Sequence, residues 1–290
     1  MNARGGGLPC LRYKITEVRL FKSGQVPGFE WTNRWIDNIS DNIGKWASDD
    51  VKTIQISKIG SSQHIELRVR RFEPFPGDKV RRTWVHNGTQ RSVEVPPYAL
   101  VNLDHAKQAY SRHIMAALAH VWRNGRLSLE WKSLLTASFK LWMAVRLSTT
   151  SDFIVGEEKL GMPDDILDET SPHVGKIPVP PVLGAQLDIV LIHHIQASLR
   201  RELLDRLQGM FMKSKPSTWL VTYLVTFMLL HNAALLIKHD AAYARKHGMR
   251  RRFAREDKVK EYLLGKTTRL KPSPPLISAL LVCFFGAHKL

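Results

Sequence analysis

Two cysteines, Cys10 and Cys283, are too few to build a disulfide framework or a cysteine-rich zinc site within this chain of 290 residues, and they suit a reducing compartment. The opening stretch MNARGGGLPCLRYKITEVRLFK lacks an apolar run of roughly 7 to 15 residues ahead of a small-residue cleavage site, so secretion is not expected. The sequons at Asn38 and Asn87 then read as chance. A G-x-S-x-G nucleophile turn is missing as well, and neither cysteine sits in a motif that marks a reactive thiol. Gly265-Lys266-Thr267 looks like the end of a phosphate-binding loop, but that loop needs glycine where Lys260 stands. Histidine is plentiful, with 12 residues. Yet His193 and His194 are neighbours that point about 100° apart on a helix, and His113 and His120 share a face without a third ligand. The residues therefore point to a protein that is not an enzyme and that carries no metal and no cofactor.

What is present is an ordinary globular balance of 44% hydrophobic and 24% charged residues, enough apolar content to bury a core. Forty-three Lys and Arg face 26 Asp and Glu, a formal charge of +17 that favours acidic partners: nucleic acid, anionic membranes or acidic proteins.

Glycines and prolines crowd residues 1–30, which read as a loose lead-in. Residues 31–101 form a small β-containing unit. Its short β-rich runs are Val51 to Ser57, His64 to Phe72, Arg82 to His86 and Arg91 to Val95, with Asn87-Gly88 as a hairpin turn. After Pro96-Pro97 the spacing becomes helical, and residues 102–265 read as a helical domain. Asn102 or Asp104 caps a helix running towards Trp122, a second helix covers Leu127 to Ser148, and five prolines between Met162 and Pro181 mark an extended connection. Ile192, Ile195, Leu199, Leu203, Leu207 and Met210 line one face of a helix over Val182 to Lys213. Further helices are expected from about Pro216 to Lys238 and from about Arg255 to Leu264. The expected fold class is thus mainly α, a multi-helix domain with a small antiparallel β subdomain near the N-terminus. Residues 266–290 form an atypical tail.

Three segments bear on function. Trp219 to Ile237 is uncharged over 19 residues, long enough to approach the thickness of a bilayer core. Its ten Leu, Val, Ile and Phe residues favour insertion by roughly 3 to 6 kcal/mol, but Thr222, Thr226, His231 and Asn232 oppose it. A buried core helix is expected instead. Between Lys238 and Lys271 lie 12 Lys or Arg and four Asp or Glu. Arg245, Lys246, Arg250, Arg251 and Arg252 are the candidate nuclear-import or nucleic-acid-binding patch. Glu157, Glu158, Asp164, Asp165, Asp168 and Glu169 cluster closely enough to hold a divalent metal or divide acid and base roles. Gly161 and Pro163 interrupt them, and a solvated acidic loop is the simpler reading.

Read together, RRFEPFPGDKV (Arg70 to Val80), VPPYALVN (Val95 to Asn102), GEEKLGMPDDILDETSPHVGKIPVPPVLGAQLD (Gly156 to Asp188) and LLHNAALLIKHDAAYARKHG (Leu229 to Gly248) resemble the helical regulatory region of filamentous-fungal binuclear zinc-cluster transcription factors. The resemblance covers roughly Trp31 to Gly265. It implies transcription regulation in the nucleus, with protein partners of the transcription machinery, a nonspecific nucleic-acid contact and a homodimer among the expected associations. Two cysteines cannot supply the six thiolates of the family's zinc cluster, so no DNA-reading or metal-binding residue carries over. That deficit, together with the apolar ending KPSPPLISALLVCFFGAHKL, suggests a truncated or misassembled gene product. The rival expectation is a membrane-associated protein anchored by residues 219–237, with the basic segment on the cytoplasmic side.

Overall fold

The structure, a computed structural model, describes residues 43–58, 61, 63–121, 129–212 and 218–246. Strand β1 (Trp46–Lys58) pairs antiparallel with β2 (Ile65–Phe72), placing Ile54 opposite Leu67 and Ile56 opposite Ile65. In β2 the alternation is strict at first: Ile65, Leu67 and Val69 are buried while Glu66 and Arg68 face solvent, so one side of the sheet is dry. The expected hairpin forms from β3 (Arg81–His86) and β4 (Thr89–Glu94). Asn87 (φ 48°) and Gly88 (φ 75°) both adopt the left-handed conformation that a two-residue turn needs to match strand twist. It stands as a separate two-stranded sheet.

Three further strands complete the main sheet: β5 (Tyr98–Leu100), β6 (Asp152–Val155) and β7 (Ile177–Pro178), in the order β5-β2-β1-β6-β7. Pro178 sits on the edge strand, where a missing N–H costs no ladder bond. The mainly α expectation is corrected by this sheet. Its five antiparallel strands form the platform of an α+β fold, and two of them come from residues 152–178, part of the expected helical domain that includes the proline-marked extended connection. Strands of four and two residues carry too little alternation to be seen in sequence. They exist because β1 offers a paired edge to β6 from Gln55↔Val155 to Lys58↔Asp152.

Helix α1 (Leu103–Val121) begins where expected, with the Asn102 side-chain oxygen accepting the His105 N–H at 3.0 Å. Ala106, Tyr110, Ile114 and Leu118 recur every four residues and lie against Ile54, Leu67, Val69 and Ile154 of the sheet, in a core shared with α3 (Pro181–Ile189). Each such aliphatic side chain contributes roughly 1.5–3 kcal/mol on burial.

A second core lies between α2 (Leu129–Thr149), α4 (Ala197–Met212) and α5 (Trp219–Lys246), built from Leu134, Leu141 and Val145, Leu203 and Leu207, and Val221, Val225 and Leu229. Phe139 and Leu199 touch both cores. Between α3 and α4 the chain makes a π-helical segment, Val190–Gln196, in which the Ala197 N–H reaches back five residues to the Ile192 carbonyl. The buried Gln196 amide donates to the Ala144 carbonyl at 3.1 Å and the Ser148 hydroxyl at 2.8 Å, fastening that segment to α2. The expected lead-in over 1–30, the short helix over 255–264 and the tail over 266–290 lie outside the described residues.

Candidate functional site

Helix α5 is 28 residues long, and among the described residues its stretch from Trp219 to Ile237 is covered mainly on one side. Val221, Val225, Leu229 and Ala233 are buried, and they point into the seam with α2 and α4. On the opposite side Leu220, Tyr223, Phe227, Leu230, Ala234 and Ile237 follow one another at spacings of three and four residues. Phe227 is 60% exposed and Trp219 is 56% exposed, with Leu220, Tyr223, Leu224 and Leu230 open beside them. The expectation of a core helix therefore holds for one face. The other is an apolar stripe of the kind that marks contact with another surface.

The rim of that stripe is set by α2. Trp142 Nε1 donates to His231 Nδ1 at 2.9 Å, and the Arg146 guanidinium lies 5.2 Å above the Trp142 ring. A cation is thereby held beside the stripe at His231, and exposed Lys238 supplies a second where the apolar residues end. Next to His231 in the chain, Asn232 points inward and is fully buried, and neither polar atom of its amide has a hydrogen-bond partner.

A second polar feature lies at the junction of sheet and helices. Lys58 Nζ binds Asp152 Oδ2 at 2.7 Å and the Thr150 carbonyl at 2.7 Å. Burial raises the Asp152 carboxyl above its ordinary range, against the pull of Lys58 and Arg82. Burial also pushes Asp188 of α3 up to about 7, with Lys58, His239 and Arg82 opposing the shift and Asp152 adding to it. The same desolvation lowers Arg82 and raises the Tyr110 hydroxyl well above its usual value. Tyr110 Oη and Asp152 Oδ1 have no hydrogen-bond partner. Two carboxylates and two cations, all partly buried, thus meet around the fully buried Tyr110 phenol.

The residues singled out in the sequence fall elsewhere. Arg245 and Lys246 end α5, while Arg250, Arg251, Arg252 and the Gly265-Lys266-Thr267 triplet lie outside the described residues. The acidic segment is tied up locally. Glu158 pairs with Lys52 at 3.0 Å and accepts the Leu160 N–H, and Asp164 pairs with Lys159. The Thr170 hydroxyl and N–H hold Asp168 below the usual carboxylate range. Thr170 also accepts from Trp84 Nε1 at 2.9 Å, so this loop anchors the β3–β4 hairpin. Among the described residues no three His, Cys, Asp or Glu side chains gather as metal ligands. The sequence reading missed both the α5 stripe and the Asp188 junction. Three-and-four spacing of Tyr223 and Phe227 was the signal for the first, and a lone carboxylate inside the apolar run LGAQLDIVLI was the signal for the second.

Residues 21–284 match the KpeA transcription factor family, a span that includes both sheets, all five α-helices named above and the basic stretch beyond α5. The chain belongs to that family. No curated protein and no solved structure matches it. Membership in the KpeA family makes this a transcription-factor-like protein with a regulatory role. Within this KpeA-family fold two helical stretches, Pro181–Met210 and Trp219–His239, are long and apolar enough to cross a membrane by length and composition, and half of an 18-residue apolar window in the first and a third of one in the second are buried.

Proposed function

We propose that this KpeA-family protein is a non-catalytic regulatory module of a filamentous-fungal transcription factor of the zinc-cluster lineage, acting in the nucleus through protein partners. The observation that carries this reading is the family match over residues 21–284. Two cysteines leave sequence-specific DNA reading by a six-thiolate cluster to something other than this chain's own residues. The charge of +17 supports nonspecific contact with nucleic acid, and Arg245, Lys246, Arg250, Arg251 and Arg252 form the import or nucleic-acid patch. Anchoring by residues 219–237 is the weaker reading, because α5 would have to give up the buried contacts of Val221, Val225 and Leu229 to enter a bilayer.

A fluorescent fusion expressed in a filamentous fungus tests the proposal. Nuclear signal is expected, and changing the five basic residues to Ala disperses it. Membrane pelleting that resists alkaline extraction, or a signal that never enters the nucleus, defeats it.

A further inference from the structure

We propose that the exposed face of α5 is a docking surface for an acidic amphipathic helix of another protein. This rests on the regulatory reading only for the kind of partner in view; the surface itself is argued from geometry and charge. Leu220, Tyr223, Phe227, Leu230, Ala234 and Ile237 repeat in the three-four pattern by which one helix presents a seam to another. Phe227 projects from the middle of that seam and is its most exposed large side chain. An aromatic in that position is the anchor expected of a helix-binding surface, where a few central residues carry most of the affinity.

Charge selects the occupant. Between Trp219 and Ile237 α5 has no charged residue, and its cations Lys238, Arg245 and Lys246 then outnumber its one carboxylate, Asp240. On the flank Arg146 is fixed over Trp142 beside His231. A helix laid along the stripe meets positive charge at its side and at one end, so glutamates or aspartates bordering its apolar positions gain complementarity and orientation. A second copy of this chain would bring Arg146 and Lys238 of two molecules, each with net charge +17, towards one another.

The test uses the full chain and a fluorescein-labelled three-heptad peptide with Leu at the a and d positions and Glu at e and g, read by fluorescence anisotropy. Binding is expected, with a Lys-for-Glu version of the peptide roughly tenfold or more weaker. Phe227→Asp weakens the Glu peptide by about tenfold or more without lowering the melting temperature, since the side chain is exposed. The double change Arg146→Glu and Lys238→Glu reverses the preference between the two peptides. Equal binding of both peptides, or an unaltered affinity in Phe227→Asp, overturns the proposal. So does a dimer in sedimentation that Phe227→Asp dissolves, or co-sedimentation with phosphatidylcholine–phosphatidylserine vesicles that the Glu peptide fails to displace. Peptide binding that appears only after Leu280→Asp and Leu281→Asp assigns the stripe to the chain's own tail and also refutes it. These outcomes are independent of nuclear entry, so failure here leaves the regulatory proposal standing, and the reverse holds.

Discussion

Replacing Asp188 with Asn should stabilise the protein, and the gain should grow with pH. In the folded chain its carboxyl titrates near 7, whereas an unfolded Asp titrates near the model value of 3.8. Because the folded pKa is the higher one, the native state holds the proton more tightly. Stability is therefore unaffected by this group below about pH 4 and is lost as pH rises from about 4 to about 7, after which the loss is constant. A difference of about three units corresponds to a ceiling of about 4 kcal/mol, or roughly 1.4 kcal/mol for each pH unit inside that window. Asn cannot ionise, so the variant escapes the loss. The assay is urea unfolding of both proteins at pH 4, 5.5 and 8, followed by tryptophan fluorescence. Taking the difference between the proteins removes the opposite contribution of His113, whose pKa burial lowers, while Asp152, whose charge acts on Asp188, works in the same direction as Asp188. A difference of zero at pH 8, or one that shrinks as pH rises, refutes the junction as described.

Other substitutions test the packing. Leu203→Ala removes a fully buried side chain from the helical core and should cost about 2–5 kcal/mol in chemical denaturation. Asn232→Leu deletes a buried amide without partners, and a gain of about 1–3 kcal/mol in unfolding free energy is expected. Gly156→Ala meets both a φ of +82° and the Gln55 side-chain oxygen 2.9 Å from the new carbon. A cost of about 1–2 kcal/mol should follow, and Gln55→Ala should recover only the steric part, leaving the backbone strain.

Where local chemistry decides the structure, the sequence was readable. Asn87-Gly88 turns the β3–β4 hairpin, Asn102 caps α1, and the runs at Val51 and His64 became β1 and β2. Where a distant partner decides, it was not. Strand β6 depends on the edge of β1, nearly a hundred residues earlier, and β7 contains a proline that its own segment would never recommend for a sheet. Without β6 and β7 the pattern beyond Pro97 is helical, and the fold looks mainly α. The same limit applied to α5. An uncharged helix says that much of it avoids water, but only the positions of α2 and α4 reveal that Val225 is covered and Phe227 is not. Asp188 stands out in sequence as a lone carboxylate in an apolar run, but its partners Lys58, Arg82 and Asp152 come from three separate strands that the sequence does not bring together.

The π-helical segment gives the long helix from α3 to α4 the character of a fixed gear between two wheels. Its N-terminal half turns Leu183 and Leu187 into the sheet core, and its C-terminal half turns Leu203 and Leu207 into the helical one. The residue accommodated by the five-back bond at Ala197 sets the phase between them. Keeping all seven residues of Val190–Gln196 but forcing them into a uniform α-helix would rotate everything beyond them by about 100°. Leu203 and Leu207 would swing out of the bundle while the sheet core stayed seated. The two cores are thus kept in phase by the five-back bond itself: removing one residue together with the bulge should leave both seated, whereas a further inserted residue should not.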